Sequence, residues 1–116
     1  MSVYEQANQL AAFMKDSDEF KQLKEAFAAI EGDENATSML VDFQVKQQGL
    51  QQKMMGGEEP EQQELEEIQK YFDVISMNPL ISRLFEAEKK VQAMMQDVQR
   101  IVAEPFDEIY KPSFNA

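Results

Sequence analysis

The densest group of side chains that could do chemistry is an acidic run in the middle of the chain. Its glutamates are Glu58, Glu59, Glu61, Glu64, Glu66 and Glu67. Carboxylates three residues apart share one face of a helix and could in principle bind a divalent cation. Carboxylates in the first turn of a helix are equally typical of a solvated face that complements the helix dipole. We favour the solvated face, and the sequence predicts no metal site.

The composition excludes most familiar catalytic and cofactor chemistry. The 116 residues include 0 Cys and 0 His. A Ser-His-Asp triad, a Cys–His pair, a His-ligated zinc and an iron–sulfur cluster on the chain's own thiolates are therefore ruled out. A di-iron helical bundle would need Glu-x-x-His pairs. We expect no enzymatic activity, no catalytic residue and no cofactor; a carboxylate–metal enzyme is the disfavoured alternative.

The charge balance argues against nucleic acid as a partner. Lys and Arg number 11 and Asp and Glu 22, which gives a net charge of −11 that repels phosphate. Arg83, Lys89, Lys90 and Arg100 gather on one predicted helix, but Glu86 has the spacing to pair with Lys89 or Lys90. We expect no DNA binding, and direct contact with RNA is kept only as an alternative function.

Capping residues, glycines and prolines divide the apolar periodicity into five predicted helices. The first covers about residues 3–15 after Ser2, and the second follows a cap at Asp16 and ends at Gly32. The third is capped in the region 33–35 and ends at residues 56–57. The fourth has Pro60 in its first turn. No run alternates with period 2, so the fold class is all-α.

The fifth predicted helix, residues 79–104, carries the longest apolar stripe. A spacing of four and three residues joins Leu80, Leu84, Ala87, Val91, Met94, Val98 and Ile101. Pro105 is expected to stop this helix, after which Phe106, Ile109 and Tyr110 should pack back as a short tail. The helix would measure about 39 Å, longer than the diameter of about 35 Å of a compact chain of this size.

A helix that outreaches its own domain points to a symmetric partner. We predict a single helical domain over 1–116, ordered over about 3–110 with a tail at 111–116. Long antiparallel hairpins should form an elongated bundle completed by a homodimer or higher homo-oligomer. The residues expected in its core or subunit interface are Phe43, Leu50, Met54, Leu80, Leu84, Val91, Met94, Val98 and Ile101. Which of them are core and which interface stays open.

Two further groups have more than one interpretation. Met39, Met54, Met55, Met77, Met94 and Met95 suit core packing or a homodimer interface, or else an adaptable groove for another protein. Gln47 falls within the third helix's stripe, where a polar group can either set register or lie at the surface. The chain has no long uncharged apolar run and its N-terminal residues do not resemble a signal peptide, so we expect a cytoplasmic protein without membrane insertion.

The order and spacing of several motifs resemble the YlbF/YheA/YmcA family of small helical proteins of low-GC Gram-positive bacteria, most closely its YheA branch. The resemblance covers about residues 3–110. It rests on Tyr4-Glu5-x-Ala7-x-x-Leu10, Ser17-x-Glu19-Phe20-x-x-Leu23-Lys24, Phe43-x-x-x-Gln47-x-x-Leu50-Gln51, Met55-Gly56-Gly57-Glu58, Asn78-Pro79-Leu80, Glu86-Ala87-Glu88 and Asp97-Val98-x-x-Ile101-Val102-x-x-Pro105-x-x-Glu108-x-Tyr110.

The resemblance implies an all-α oligomer with a regulatory role. Better-studied relatives act with a further protein in a complex that affects competence, sporulation and biofilm formation, and they are linked to messenger-RNA processing through a membrane-bound endoribonuclease. Some carry cysteines that bind iron–sulfur clusters, which this chain lacks. Residues and resemblance together favour a non-enzymatic, homo-oligomeric adaptor that works through protein–protein contacts with an unidentified protein partner.

Overall fold

A computed structural model describes the backbone of residues 2–114 and the side chains of residues 2–110. Within these residues the chain forms five α-helices and no strand. They are α1 (Val3–Lys15), α2 (Asp18–Glu31), α3 (Glu34–Met55), α4 (Gln62–Ile75) and α5 (Pro79–Phe114). The predicted all-α fold is confirmed.

Short polar side chains begin four of the helices. The Ser2 hydroxyl accepts the Glu5 N–H at 3.1 Å, and the Asp33 carboxylate accepts the Ala36 N–H at 2.9 Å. The amide oxygen of Asn78 accepts the N–H groups of Leu80 and Ile81 at 2.9 and 3.4 Å. Each contact pairs a backbone donor that has no partner within its helix.

Two predicted helix starts are wrong. The hydroxyl of Ser17, not the carboxylate of Asp16, caps α2 by accepting the Phe20 N–H at 3.3 Å. Helix α4 begins at Gln62, so Pro60 lies before the helix rather than in its first turn. Glu61 occupies the capping position of α4 and makes no side-chain hydrogen bond there. The helix therefore starts two residues after Pro60, the residue that was expected in its first turn.

The expected stop of the last helix at Pro105 is also wrong. Helix α5 continues to Phe114, and Phe106 and Ile109 are 63% and 72% exposed instead of packing back. A proline inside a helix removes one hydrogen bond, here the one to the carbonyl of Ile101. The side chain of Ile101 is 58% exposed, so water has access to this stretch of the helix. The last residues of the predicted tail, 115–116, lie outside the described residues.

The core lies where α2 and the α3–α4 hairpin meet the first half of α5. Helix α2 runs antiparallel to α5, since Glu25 contacts Arg83 while Gln22, earlier in α2, contacts Lys90 later in α5. The Tyr71 hydroxyl donates to the Met39 carbonyl across the α3–α4 hairpin. The buried apolar residues are Ala26, Ile30, Ala36, Leu40, Phe43, Ile75, Ile81, Leu84, Ala87 and Val91.

The molecule is extended for its length. Its radius of gyration is 19.1 Å, whereas a compact chain of this size has about 13 Å. The chain exposes 9234 Å² of surface, against about 6,500 Å² for a compact monomer of this mass. The predicted elongation is confirmed, and the predicted dimer remains a prediction. None of the helices within the described residues has the length and apolarity needed to cross a bilayer.

Candidate interaction surfaces

The residues predicted for the core or interface divide into three groups by exposure. Phe43, Leu84 and Val91 are buried within one chain. Leu50, Leu80, Met94 and Val98 are half-buried. Met54 and Ile101 are exposed, at 54% and 58%. On both α3 and α5 the predicted residues therefore pass from intrachain core to exposed surface towards the C-terminal end of the helix. Val91 in particular is buried without a second subunit.

The open end of the stripe forms an apolar surface along the second half of α5. We call this surface, made of Met95, Val98, Val102, Phe106 and Ile109, the distal face of α5. Its members follow Leu84 and Val91 at spacings of three and four residues, so they continue the same side of the helix. The Phe106 and Tyr110 rings pack with centroids 4.8 Å apart. Phe106 and Ile109 belong to this face only because α5 continues past Pro105, where the sequence predicted its end.

A second surface is a groove where the α3–α4 hairpin diverges from α5. This aromatic groove encloses about 260 Å³ and is lined by Leu40, Phe43, Gln44, Gln47, Phe72, Phe85, Glu88, Lys89 and Gln92. Its floor is a cluster of aromatic rings. The centroid of the Phe43 ring lies 5.8 Å from that of Phe72 and 6.5 Å from that of Phe85. Gln47 is exposed at its rim. This position agrees with the surface interpretation of Gln47.

Glu88 gives the aromatic groove an unusual charge. Burial of its carboxyl raises its pKa above the ordinary value of 4.5. Among the described residues Glu88 has no hydrogen bond or ion pair, and the adjacent Lys89 amine lies 3.4 Å from a carboxylate oxygen of Glu86. Glu88 is thus a half-buried acid beside three aromatic rings, a feature that neither motif nor spacing signalled.

The acidic run is distributed along the start of α4 and the loop before it. Glu64 forms an ion pair with Lys53 across the α3–α4 hairpin at 2.5 Å, which raises the pKa of Lys53. The amides of Gln62 and Gln63 donate to Glu66 and Glu67 one turn later. Within the described part of the chain, no three carboxylates are placed to hold a metal ion.

The cations considered for RNA each have an acidic or polar neighbour. Arg83 lies 3.5 Å from Glu25, and Arg100 lies 3.0 Å from Asp97. The Lys89 pairing with Glu86 is as predicted, but the Lys90 amine donates to Gln22 of α2 at 3.4 Å. These cations belong to local ion pairs and to the α2–α5 contact.

The methionines do not form one surface. Met39 and Met94 are half-buried against their own chain. The exposed ones lie far apart in the sequence: Met54 and Met55 end α3, Met77 lies between α4 and α5, and Met95 belongs to the distal face of α5. Of the two predicted roles, core packing therefore suits the first pair alone.

The arrangement of helices and the sequence both match known proteins. The profile of a family described as control of the competence regulator ComK, YlbF/YmcA, matches residues 3–107. The chain belongs to this family. The resemblance drawn from the motifs is confirmed, and the family's description is regulatory.

Similar proteins of this kind occur in staphylococci. A UPF0342 protein of Staphylococcus epidermidis is 36% identical over 110 residues, which cover 95% of this chain and 96% of that protein. UPF0342 proteins of Staphylococcus haemolyticus and Staphylococcus aureus reach the same identity over the same length.

The fold also has a solved counterpart. A protein of unknown function (DUF964) from Bacillus stearothermophilus superposes with a TM-score of 0.87 at 29% sequence identity, covering 93% of this chain and 95% of the other. The helical arrangement described above is thus shared along almost the whole length of both proteins.

Proposed function

We propose that this protein is a non-enzymatic, homo-oligomeric adaptor that regulates through protein–protein contacts in the cytoplasm. The regulated process follows the family's description, control of competence. Sporulation, biofilm formation and messenger-RNA processing are further processes to which the resemblance extends. In each case the protein acts by binding another protein rather than by transforming a substrate.

The observation that carries this proposal is the surface that one chain leaves uncovered. Its exposed area exceeds that of a compact monomer by about 2,700 Å². Large apolar side chains contribute to this excess, including Val102, Phe106 and Ile109 on α5 and Tyr4 and Phe13 on α1. Extended apolar faces of this kind mark interaction sites in soluble proteins.

The ionisable groups support binding rather than catalysis. Catalytic sites usually bring several titratable groups with shifted pKa values into one cleft. In the aromatic groove, the shift at Glu88 comes from burial alone, and Lys89 is engaged by Glu86. Gln44, Gln47 and Gln92 complete the polar lining. Amides of this kind donate and accept hydrogen bonds without taking up or releasing protons.

Two measurements on the purified protein test the proposal. Light scattering over a range of concentrations should give a mass that is a multiple of the chain's. Affinity purification from the native cytoplasm, after nuclease treatment and at physiological salt, should retain a protein in stoichiometric amount. A monomeric chain that retains no stoichiometric protein contradicts the proposal, and a protein lost on nuclease treatment favours the alternative in which the chain contacts RNA.

A further inference from the structure

We infer that the distal face of α5 is covered by the same face of a second copy, with the two α5 helices antiparallel and crossing near Val102. This inference rests on the proposed function, because it requires self-association. It goes further by naming the surface, the direction of the partner helix and the residues that meet.

Exposure increases along one side of α5 from its first half to its second. Val91 is 6% exposed, Met95 44%, Val102 62% and Ile109 72%. The cover comes mainly from α2, which has 14 residues against the 36 of α5. Helix α2 therefore ends while the apolar side of α5 continues for several further turns. Val98 is still half-buried, but beyond it the sequence maintains an apolar face that its own chain leaves exposed.

The chain also exposes more surface than a compact monomer, and a second copy could bury part of it. A stable interface between two proteins removes about 800 Å² from each partner. The whole chain exceeds a compact monomer by about 2,700 Å², and the exposed side chains of this face contribute part of that excess. A second copy covers this face with a closed two-fold contact, in which the same patch on each chain is buried.

An antiparallel crossing at Val102 fixes the register of the two α5 helices. In that arrangement residue levels whose numbers sum to 204 lie opposite one another. Val98 then lies at the level of Phe106 of the second copy, and Met95 at the level of Ile109. Apolar levels meet apolar levels along the whole contact, which is the condition for burying both faces together.

Charge decides between the two possible directions. Three acids, Glu104, Asp107 and Glu108, follow within five residues near the end of the face. A parallel pair would bring the two acidic groups to the same level, where like charges repel. The antiparallel pair places Glu104, Asp107 and Glu108 at the levels of Arg100, Asp97 and Gln96 of the second copy. Each acidic group then lies at the level of a segment with no net charge, and the two acidic groups are kept apart.

Cysteine cross-linking tests this geometry directly, because the natural chain has 0 Cys. Val102→Cys places a thiol at the two-fold axis, where a disulfide needs Cβ atoms about 4 Å apart. Val45→Cys on α3 is the matched control, since Val45 is 61% exposed and Val102 62%. A mixture of Met95→Cys and Ile109→Cys chains reports direction. Circular dichroism checks that each variant keeps the helical content of the natural chain.

Under mild oxidation at about 10 micromolar protein, Val102→Cys should cross-link about 100-fold faster than Val45→Cys, because the interface holds its two thiols at an effective concentration of about 1 millimolar. In the mixture, bonds between positions 95 and 109 should exceed bonds between two chains at position 109. Equal rates at positions 102 and 45 would overturn the surface, and dominant 109–109 bonds would overturn the direction.

Light scattering under reducing conditions separates this inference from the proposed function. Oligomers that persist while Val102→Cys cross-links no faster than the control leave the adaptor proposal standing and reject the distal face as its interface. A further control mixes Phe13→Cys chains, whose thiol is on α1, with Val102→Cys chains. Rapid cross-linking between positions 13 and 102 would identify α1 of the second copy as the occupant of the face and would overturn the inference. A monomer at every concentration removes both self-association and this interface.

Discussion

Phe72 stacks on Phe85 with ring centroids 5.2 Å apart and ring planes 12° apart. Phe72 belongs to α4 and Phe85 to α5, so this contact links the α3–α4 hairpin to the long helix. Phe43 of α3 packs against both rings from the side. The position of the hairpin relative to α5, and with it the shape of the aromatic groove, depends on these three rings.

Removing the central ring should therefore destabilise the whole chain. Phe43 is 6% exposed, and we expect Phe43→Ala to lower the free energy of unfolding by about 3 kcal/mol because it leaves a cavity between α3, α4 and α5. Urea denaturation followed by circular dichroism measures the change. Val45→Ala, two residues away and exposed, is the control and should change stability little. Equal effects of the two substitutions would contradict the packing described here.

Charges placed on the two halves of the α5 stripe should have different consequences. Val91→Glu buries an unpaired carboxylate within one chain and should lower the free energy of unfolding by about 3 kcal/mol or more. Val102→Glu adds a charge to the distal face of α5 and should cause dissociation while helicity is retained. Light scattering and circular dichroism on both variants distinguish these results. If Val91→Glu dissociates the oligomer without loss of stability, the assignment of Val91 to the intrachain core is wrong.

The continuation of α5 past Pro105 can be tested by restoring the missing backbone donor. Pro105→Ala allows a hydrogen bond to the carbonyl of Ile101 and removes a residue that costs about 3 kcal/mol inside a helix. Amide hydrogen exchange at residues 106–110 should become slower, whereas exchange around Leu84 should not change. A helix that ended at Pro105 would show fast exchange in both proteins.

The half-buried acid of the aromatic groove predicts a specific pH dependence. Because burial raises the pKa of Glu88, the folded state binds a proton there more tightly than the unfolded state, and stability falls as the pH rises through that pKa. Glu88→Gln should therefore be more stable than the natural chain at pH 7. The difference should vanish once the pH drops below the ordinary pKa of 4.5. Thermal melts at several pH values measure it, and a natural chain that is the more stable at pH 7 would contradict the prediction.

Removal of divalent metals should leave the protein unchanged. A metal that bound only the folded state would raise the melting temperature in proportion to its affinity and concentration. The carboxylates of Glu64, Glu66 and Glu67 are already engaged by Lys53 or by glutamines one turn earlier. We expect the same melting temperature with and without a chelator. A clear decrease on chelation would revive the carboxylate site.

Sequence by itself determined the parts of this fold that depend on near neighbours in the chain. The caps at Ser2 and Asn78 and the stops near Gly32 and Gly56 follow from local hydrogen bonding and backbone preference. The stripe of α5 was also predictable, because spacings of three and four residues define one helix side wherever the helix lies. Pro105 misled the prediction, since a proline weighs heavily in local rules but removes only one hydrogen bond from a long helix.

Only the tertiary structure decided which part of that stripe is core and which is surface. Leu84 and Val102 have the same character and the same phase on α5, yet one is fully buried and the other 62% exposed. The difference arises because α2 lies antiparallel along the first half of α5 and is too short to cover the second. Burial depends on where a helix distant in sequence ends in space. Periodicity within α5 carries no information about that position, and the aromatic groove with Glu88 arises from the same long-range packing.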